Sequence, residues 1–87
     1  MMRWLRRGGG ERKVHVGDAT YDGWAVVRDF EDRETALAFR DRVREAGIKA
    51  VLTSDWDLDR FGHGDIALRV EHGDYGEAEV LLSGLDD

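Results

Sequence analysis

Residues 23–52 pass from a β pattern through a helical pattern into a second β pattern, and that order constrains the fold more than any other feature of the chain. "GWAVVRDF" (23–30) is rich in β-branched and aromatic residues and follows the turn-like "GDATYDG", which predicts a strand at the centre of the sheet. "EDRETALAFRDRVREAG" then places Ala36, Phe39, Val43 and Ala46 at helical spacing, with Glu31 or Asp32 near the N-cap and Gly47 where a left-handed C-cap belongs. A helix is predicted over 32–46, with its charged residues on a solvated face. "IKAVLTSDWDLD" next alternates, setting Ile48, Ala50 and Leu52 on one side and Lys49, Val51 and Thr53 on the other. Two strands joined by a helix run parallel through a right-handed crossover, which leaves a gap between them.

The rest of the chain supplies what fills that gap. After Gly62 and Gly64, "DIALRV" turns Ile66, Leu68 and Val70 inward and Ala67 and Arg69 outward, a third strand that forms a hairpin with the second and lies antiparallel to both neighbours. "DYGEAEVLLSGL" has Asp74 and Glu77 in the arrangement of a capping box, Ala78, Leu81, Leu82 and Leu85 on one face, and Gly84 near the stop. The expected architecture is therefore α+β: a ferredoxin-like or PII-like half-sandwich of strand, helix, strand, strand, helix, an antiparallel sheet with both helices on one face. "RKVHV" (12–16) is expected to fold back as a hairpin on the free edge of the first strand, unless a second copy covers that edge. Residues 1–11 read as a basic flexible tail and 12–87 as a single domain. A domain of this length buries only about 60% of the surface its unfolded chain exposes, so a partner would stabilise it.

Charge narrows the function. The formal net charge is −6, yet residues 1–13 carry Arg3, Arg6, Arg7, Arg12 and Lys13 against Glu11, a balance of +4, so the remainder carries −10. An acidic body repels phosphate backbones, which argues against nucleic-acid binding by the folded domain and leaves only the tail to attract an anion or a membrane surface. "MMRWLRRGGG" has the charges of a signal peptide without the apolar run, and no stretch approaches the roughly 20 apolar residues needed to span a bilayer, so a cytoplasmic protein is expected. The chain has no cysteine, which excludes disulfides and thiolate metal sites.

One stretch looks like chemistry: "SDWDLDRFGHGD" (54–65), a source of candidate metal ligands in Asp55, Asp57, Asp59, His63 and Asp65. A calcium loop of the EF-hand kind needs glycine at its sixth place and glutamate at its twelfth; counted from Asp55, those places hold Arg60 and Ile66. The alternation of Ile48, Ala50, Leu52, Ser54, Trp56 and Leu58 predicts that the strand runs on to Leu58, with Trp56 and Leu58 facing the core. The outer aspartates would then lie about 13 Å apart along the solvent face, too far to share an ion. His15, His63 and His72 are scattered, and neither Ser54 nor Ser83 sits in a strand-turn-helix elbow. The glycines match no phosphate or dinucleotide loop, and acylphosphatase chemistry would need an asparagine that the chain lacks. No catalytic residue and no cofactor is expected.

"VVRDFEDRETALAFRDRVREAGIKAVL", followed by a glycine-bearing hairpin and "ALRVEHGDYGEAEVLLSGL", resembles a family of small prokaryotic signal-transducing proteins of unknown function with a PII-like, ferredoxin-like fold. The resemblance covers about residues 24–85 and rests on the strand ending in Phe30, Ala36, the "AGI" step at Ala46–Ile48, the strand ending at Val70, and Ala78. It implies the fold and an absence of established catalytic residues. With helices on one side only, the other side of the sheet is expected either to present an apolar patch, a mark of interfaces, or to be covered by the N-terminal segment with Trp4, Val14, Val16 and Tyr21; Trp24, Val26, Val51, Trp56, Phe61 and Ala67 are the partner-binding candidates, with Trp56 and Phe61 at the rim. The expected function is a non-enzymatic regulatory or protein-interaction domain, dimeric or docked to a protein partner. Two alternatives are a small-molecule effector sensor that binds at a dimer interface, and an anion- or membrane-associated protein tethered by its tail.

Overall fold

The computed structural model describes residues 13–86, in the order β1 (His15–Val16), a 3-10 turn (Ala19–Tyr21), β2 (Ala25–Asp32), α1 (Arg33–Glu45), β3 (Ala50–Ser54), β4 (His63–Val70), a second 3-10 turn (His72–Asp74) and α2 (Tyr75–Asp86). The basic tail at 1–11 lies outside the described residues. The four strands form one sheet in the order β1-β3-β4-β2, with β4 antiparallel to β3 and β2. The crossover through α1 and the hairpin strand that fills its gap are thus both present, and the domain is an α+β half-sandwich of the expected element order.

Local chemistry sets the ends of α1. Asp32 Oδ2 accepts the Thr35 amide at 2.9 Å and caps the N-terminus. At the other end Gly47 adopts φ +88°, a conformation that costs an L-residue strain. The Gly47 amide donates to the Arg44 carbonyl (2.9 Å) and the Ile48 amide to the Val43 carbonyl (3.3 Å). This is a Schellman closure, and its usual apolar contact is supplied by Val43 and Ile48, both buried.

The core lies between the helices and one face of the sheet: Leu52, Ile66, Leu68 and Val70 meet Ala36, Leu37 and Val43 of α1 and Ala78 and Leu82 of α2. Each of the branched side chains taken fully out of water contributes about 1.5–3 kcal/mol, and each alanine methyl about 0.8 kcal/mol or less. One expectation for the helices needs correction. Arg40 is not on a solvated face but 1% exposed, its guanidinium held by Asp41 Oδ1 at 2.8 and 3.1 Å. Gly84 lies near the stop of α2 as expected, but two residues inside the helix, which runs to Asp86.

The sheet departs from the sequence reading in three ways. First, β1 does not form a hairpin on β2. It pairs in parallel with β3, His15 against Thr53 and Val16 against Ser54, on the opposite edge of the sheet. Beyond the reach of β1, the edge of β3 is met by Arg44, whose Nε donates to the Ala50 carbonyl at 2.9 Å. Second, β2 is an edge strand, not the central one; β4 takes the interior. Register shifts at Val26/Arg28 and Phe30/Asp32 interrupt its pairing with β4, and the first leaves Val27 as an extra residue in the core. Bulges and the carboxylates of Asp29 and Glu31 are features that keep an edge from pairing with another chain.

Third, the face opposite the helices is partly covered, over Val51 and Thr53, while Val26 stays 40% exposed. Because β1 and β2 occupy opposite edges, residues 17–24 must cross the sheet to join them. Arg69, on that face, fastens the crossing: its Nη1 donates to the carbonyls of Trp24 (3.0 Å) and Tyr21 (3.3 Å), and its Nε to Thr53 Oγ1 (2.9 Å). The His15, Tyr21 and Trp24 rings contact one another in sequence, His15 tilted on Tyr21 and Tyr21 edge-to-face with Trp24, with centroids 4.9 and 5.1 Å apart. Val51 and Thr53 are buried beneath, so Val51 is not part of an exposed patch. Of the two surfaces expected to take a second copy, the sheet face is partly covered and the β2 edge carries bulges and carboxylates. Among the described residues no helix is long and apolar enough to cross a membrane.

Candidate functional site

The two most exposed aromatic residues, Trp56 and Phe61, share the loop between β3 and β4, while Tyr75 at the start of α2 is 40% exposed; the place of Trp56 follows from the early end of β3. Ser54 Oγ accepts the Trp56 amide (3.3 Å) and donates to the Trp56 carbonyl (2.8 Å), turning the chain away from the sheet. Trp56 therefore does not face the core as alternation predicts; it is 73% exposed. Leu58 returns to pack against the core, half-buried.

Asp59 then organises the remainder of the loop. Its Oδ1 accepts the amides of Phe61 (2.8 Å) and His63 (2.9 Å), its own amide donates to the His63 carbonyl (2.9 Å), and its carbonyl accepts the Gly62 amide (2.9 Å). These bonds, the His63 amide foremost and the Phe61 amide after it, hold the Asp59 carboxyl below the usual carboxylate range, with the His63 ring 3.9 Å away adding to the effect and partial desolvation opposing it. Gly62 takes φ +80°, and its carbonyl accepts the Arg33 amide at 2.8 Å, one of the donors that the start of a helix leaves without an internal partner. The loop is tied in this way to α1. On it stands Phe61, 70% exposed, with the Arg60 guanidinium 5.2 Å from its centroid and the His63 ring 6.4 Å away.

The candidate metal ligands do not converge. Asp55 lines a small hollow with Thr53, Ser54 and Arg69; Asp57 and Asp59 line a groove with Val14, Val16 and Arg33; Asp65 and His63 lie on the β2 side with Glu31 and Asp32. Among the described residues no three His, Asp or Glu side chains are placed to hold one ion. The β2 side also carries an open groove of about 680 Å³ lined by Asp29, Phe30, Glu31, Asp32, Thr35 and Asp65, whose four carboxylates would repel any anion.

The partner-binding candidates divide as well. Trp24 is half-buried with its ring edge-on to Tyr21, Ala67 is half-buried, Val26 is 40% exposed on the partly covered face, and only Trp56 and Phe61 share one exposed element. Two residues that matter here were not among the candidates: Arg69, read only as an outward strand position, and Asp59 in its role as loop organiser. An aspartate three places before a glycine, as in "DRFG", is the one sequence signal that marks such a turn. The chain matches no protein-family model, no curated protein and no solved structure.

Proposed function

We propose that this chain is a non-enzymatic regulatory domain that works by binding a protein, with Trp56 and Phe61 as the anchors of its interface. The observation that carries the reading is their exposure, 73% and 70%, on a loop whose backbone is already fixed by Ser54, Asp59 and Arg33. Large exposed aromatic rings on a pre-ordered loop lose little entropy on binding, and such residues dominate interface energies. Asp55, Asp57 and Asp59 surround Trp56 in the chain, so the partner surface is basic with apolar recesses. The resemblance to a signal-transducing family supports the regulatory part of the reading.

The test is affinity capture from the cell that makes the protein, with the full chain and with a Trp56→Ala/Phe61→Ala variant of equal melting temperature. Each anchor is worth about 2 kcal/mol or more, or about thirtyfold, so the double variant should bind the captured partner up to about a thousandfold more weakly where the two losses add. A partner held equally well by both proteins places the interface elsewhere and overturns the reading.

A further inference from the structure

The loop carries a surface that the chain's own N-terminal segment is suited to occupy. Resting on the reading of that loop as an interface, we propose that residues 3–7, "RWLRR", dock in cis against Asp55, Trp56, Asp57 and Asp59 and compete there with a partner. The segment holds three arginines, a tryptophan and a leucine in five residues; loop residues 55–59 hold three aspartates and one exposed indole, Asp57 and Asp59 lining one groove that also contains Arg33 and Asp55 lining the neighbouring hollow. Charge complementarity of this density favours association, and guanidinium groups also seat well on aromatic faces. Arg60 already does so on Phe61, at 5.2 Å, while among the described residues no cation lies over Trp56.

The point where the described chain begins brings the segment to this surface. Val14 and Val16 line the same groove as Asp57, Leu58 and Asp59. From Arg7 to Lys13 the chain is six residues long, a reach of about 20 Å at about 3.3–3.6 Å per residue, and three of the intervening residues are Gly8, Gly9 and Gly10. The whole domain measures 34 × 32 × 28 Å, so a tether starting at the rim of the groove does not need its full reach. A short tether of this kind holds the segment at an effective concentration of about a millimolar, enough to populate even a weak contact. The acidic groove on the β2 side offers a similar charge, but it lies beyond the loop and Val14 does not line it.

The test is amide NMR of the full chain against a full-length Arg3→Gln/Arg6→Gln/Arg7→Gln variant and a chain beginning at Glu11, which keeps every described residue. The expected result is that both changes move the amides of Asp55, Trp56 and Asp57 and the Trp56 indole in the same direction, as does raising salt to about 0.5 M, where screening acts over about 4 Å. The full-chain positions should not change on dilution, and the free peptide 1–10 added to the shortened chain at about millimolar concentration should restore them. No movement at 55–59, movement at Asp29, Glu31 and Asp65 in its place, or shifts that fade on dilution, which would mark the segment of a second copy, each overturn the proposal. None of these readings involves a partner, so docking of the segment and the anchor role of Trp56 and Phe61 can fail separately.

Discussion

Replacing Arg69 with methionine should free the connection between β1 and β2 while leaving the core intact. The side chain joins three parts of the fold: Thr53 on β3, β4 itself, and the carbonyls of Tyr21 and Trp24. Hydrogen bonds from a charged donor contribute about 1.5–3 kcal/mol each, but the losses do not all persist. The Tyr21 carbonyl keeps the Trp24 amide at 2.9 Å, and the Trp24 carbonyl regains water once the crossing lifts. Thr53, 8% exposed, keeps the penalty of an unpaired hydroxyl. The net cost is about 2–4 kcal/mol, a large part of the roughly 4–13 kcal/mol expected for a chain of this length at about 0.05–0.15 kcal/mol per residue. The melting temperature should fall by about 10–25 °C. Hydrogen exchange gives the decisive reading: the amides of Gly17, Thr20, Asp22 and Trp24, each bonded in the native state, should exchange faster relative to those of β4 than in the parent chain. Arg69→Lys, one point charge in place of a fork, should recover only part of this protection. If methionine leaves exchange across 17–24 unchanged, the connection is held by its aromatic contacts alone and the reasoning is wrong.

Gly62→Ala should cost about 1–2 kcal/mol in urea unfolding, because φ +80° is strained for an L-residue and the new Cβ would come within 3.4 Å of Arg33 Cβ; a stabilised variant would refute that conformation. Acid should weaken the fold through three carboxyls held below their usual range: Asp18 by Thr20, Asp32 by the Thr35 amide and Asp59 by the His63 amide. A depressed folded value stabilises above the unfolded one and is lost as the pH falls through the folded value, so melting temperature should hold from neutrality to about pH 5 and drop below about pH 4. Asp59→Asn should remove part of that drop, and a profile identical to the parent's would show that the Asp59 bonds add no acid sensitivity.

The helix ends were legible because their causes are local. Asp32 caps Thr35 three residues on, and Gly47 closes the helix whose last turn lies directly before it. The inward positions Ile66, Leu68 and Val70 followed from alternation alone. Alternation misled at Trp56, since nothing in an apolar-polar pattern says where a strand stops; one serine hydroxyl bonding the backbone two residues on decided it. Of the partner-binding candidates, Trp56 and Phe61 are exposed on the loop between β3 and β4, away from the sheet face where alternation and the expected apolar patch would have put them.

The sequence by itself determined the order of strands and helices, their inward faces and the charge contrast between tail and body, because periodicity, capping and net charge need no knowledge of distant residues. The tertiary structure alone decided that β1 takes the edge beside β3, that the following segment crosses the open face, and that Trp56 and Phe61 stand exposed on one loop. Arg69 lies 45 and 48 residues from the carbonyls it fastens, and a pairing across that distance is chosen by the competition of whole elements for edges and faces, which no local pattern records.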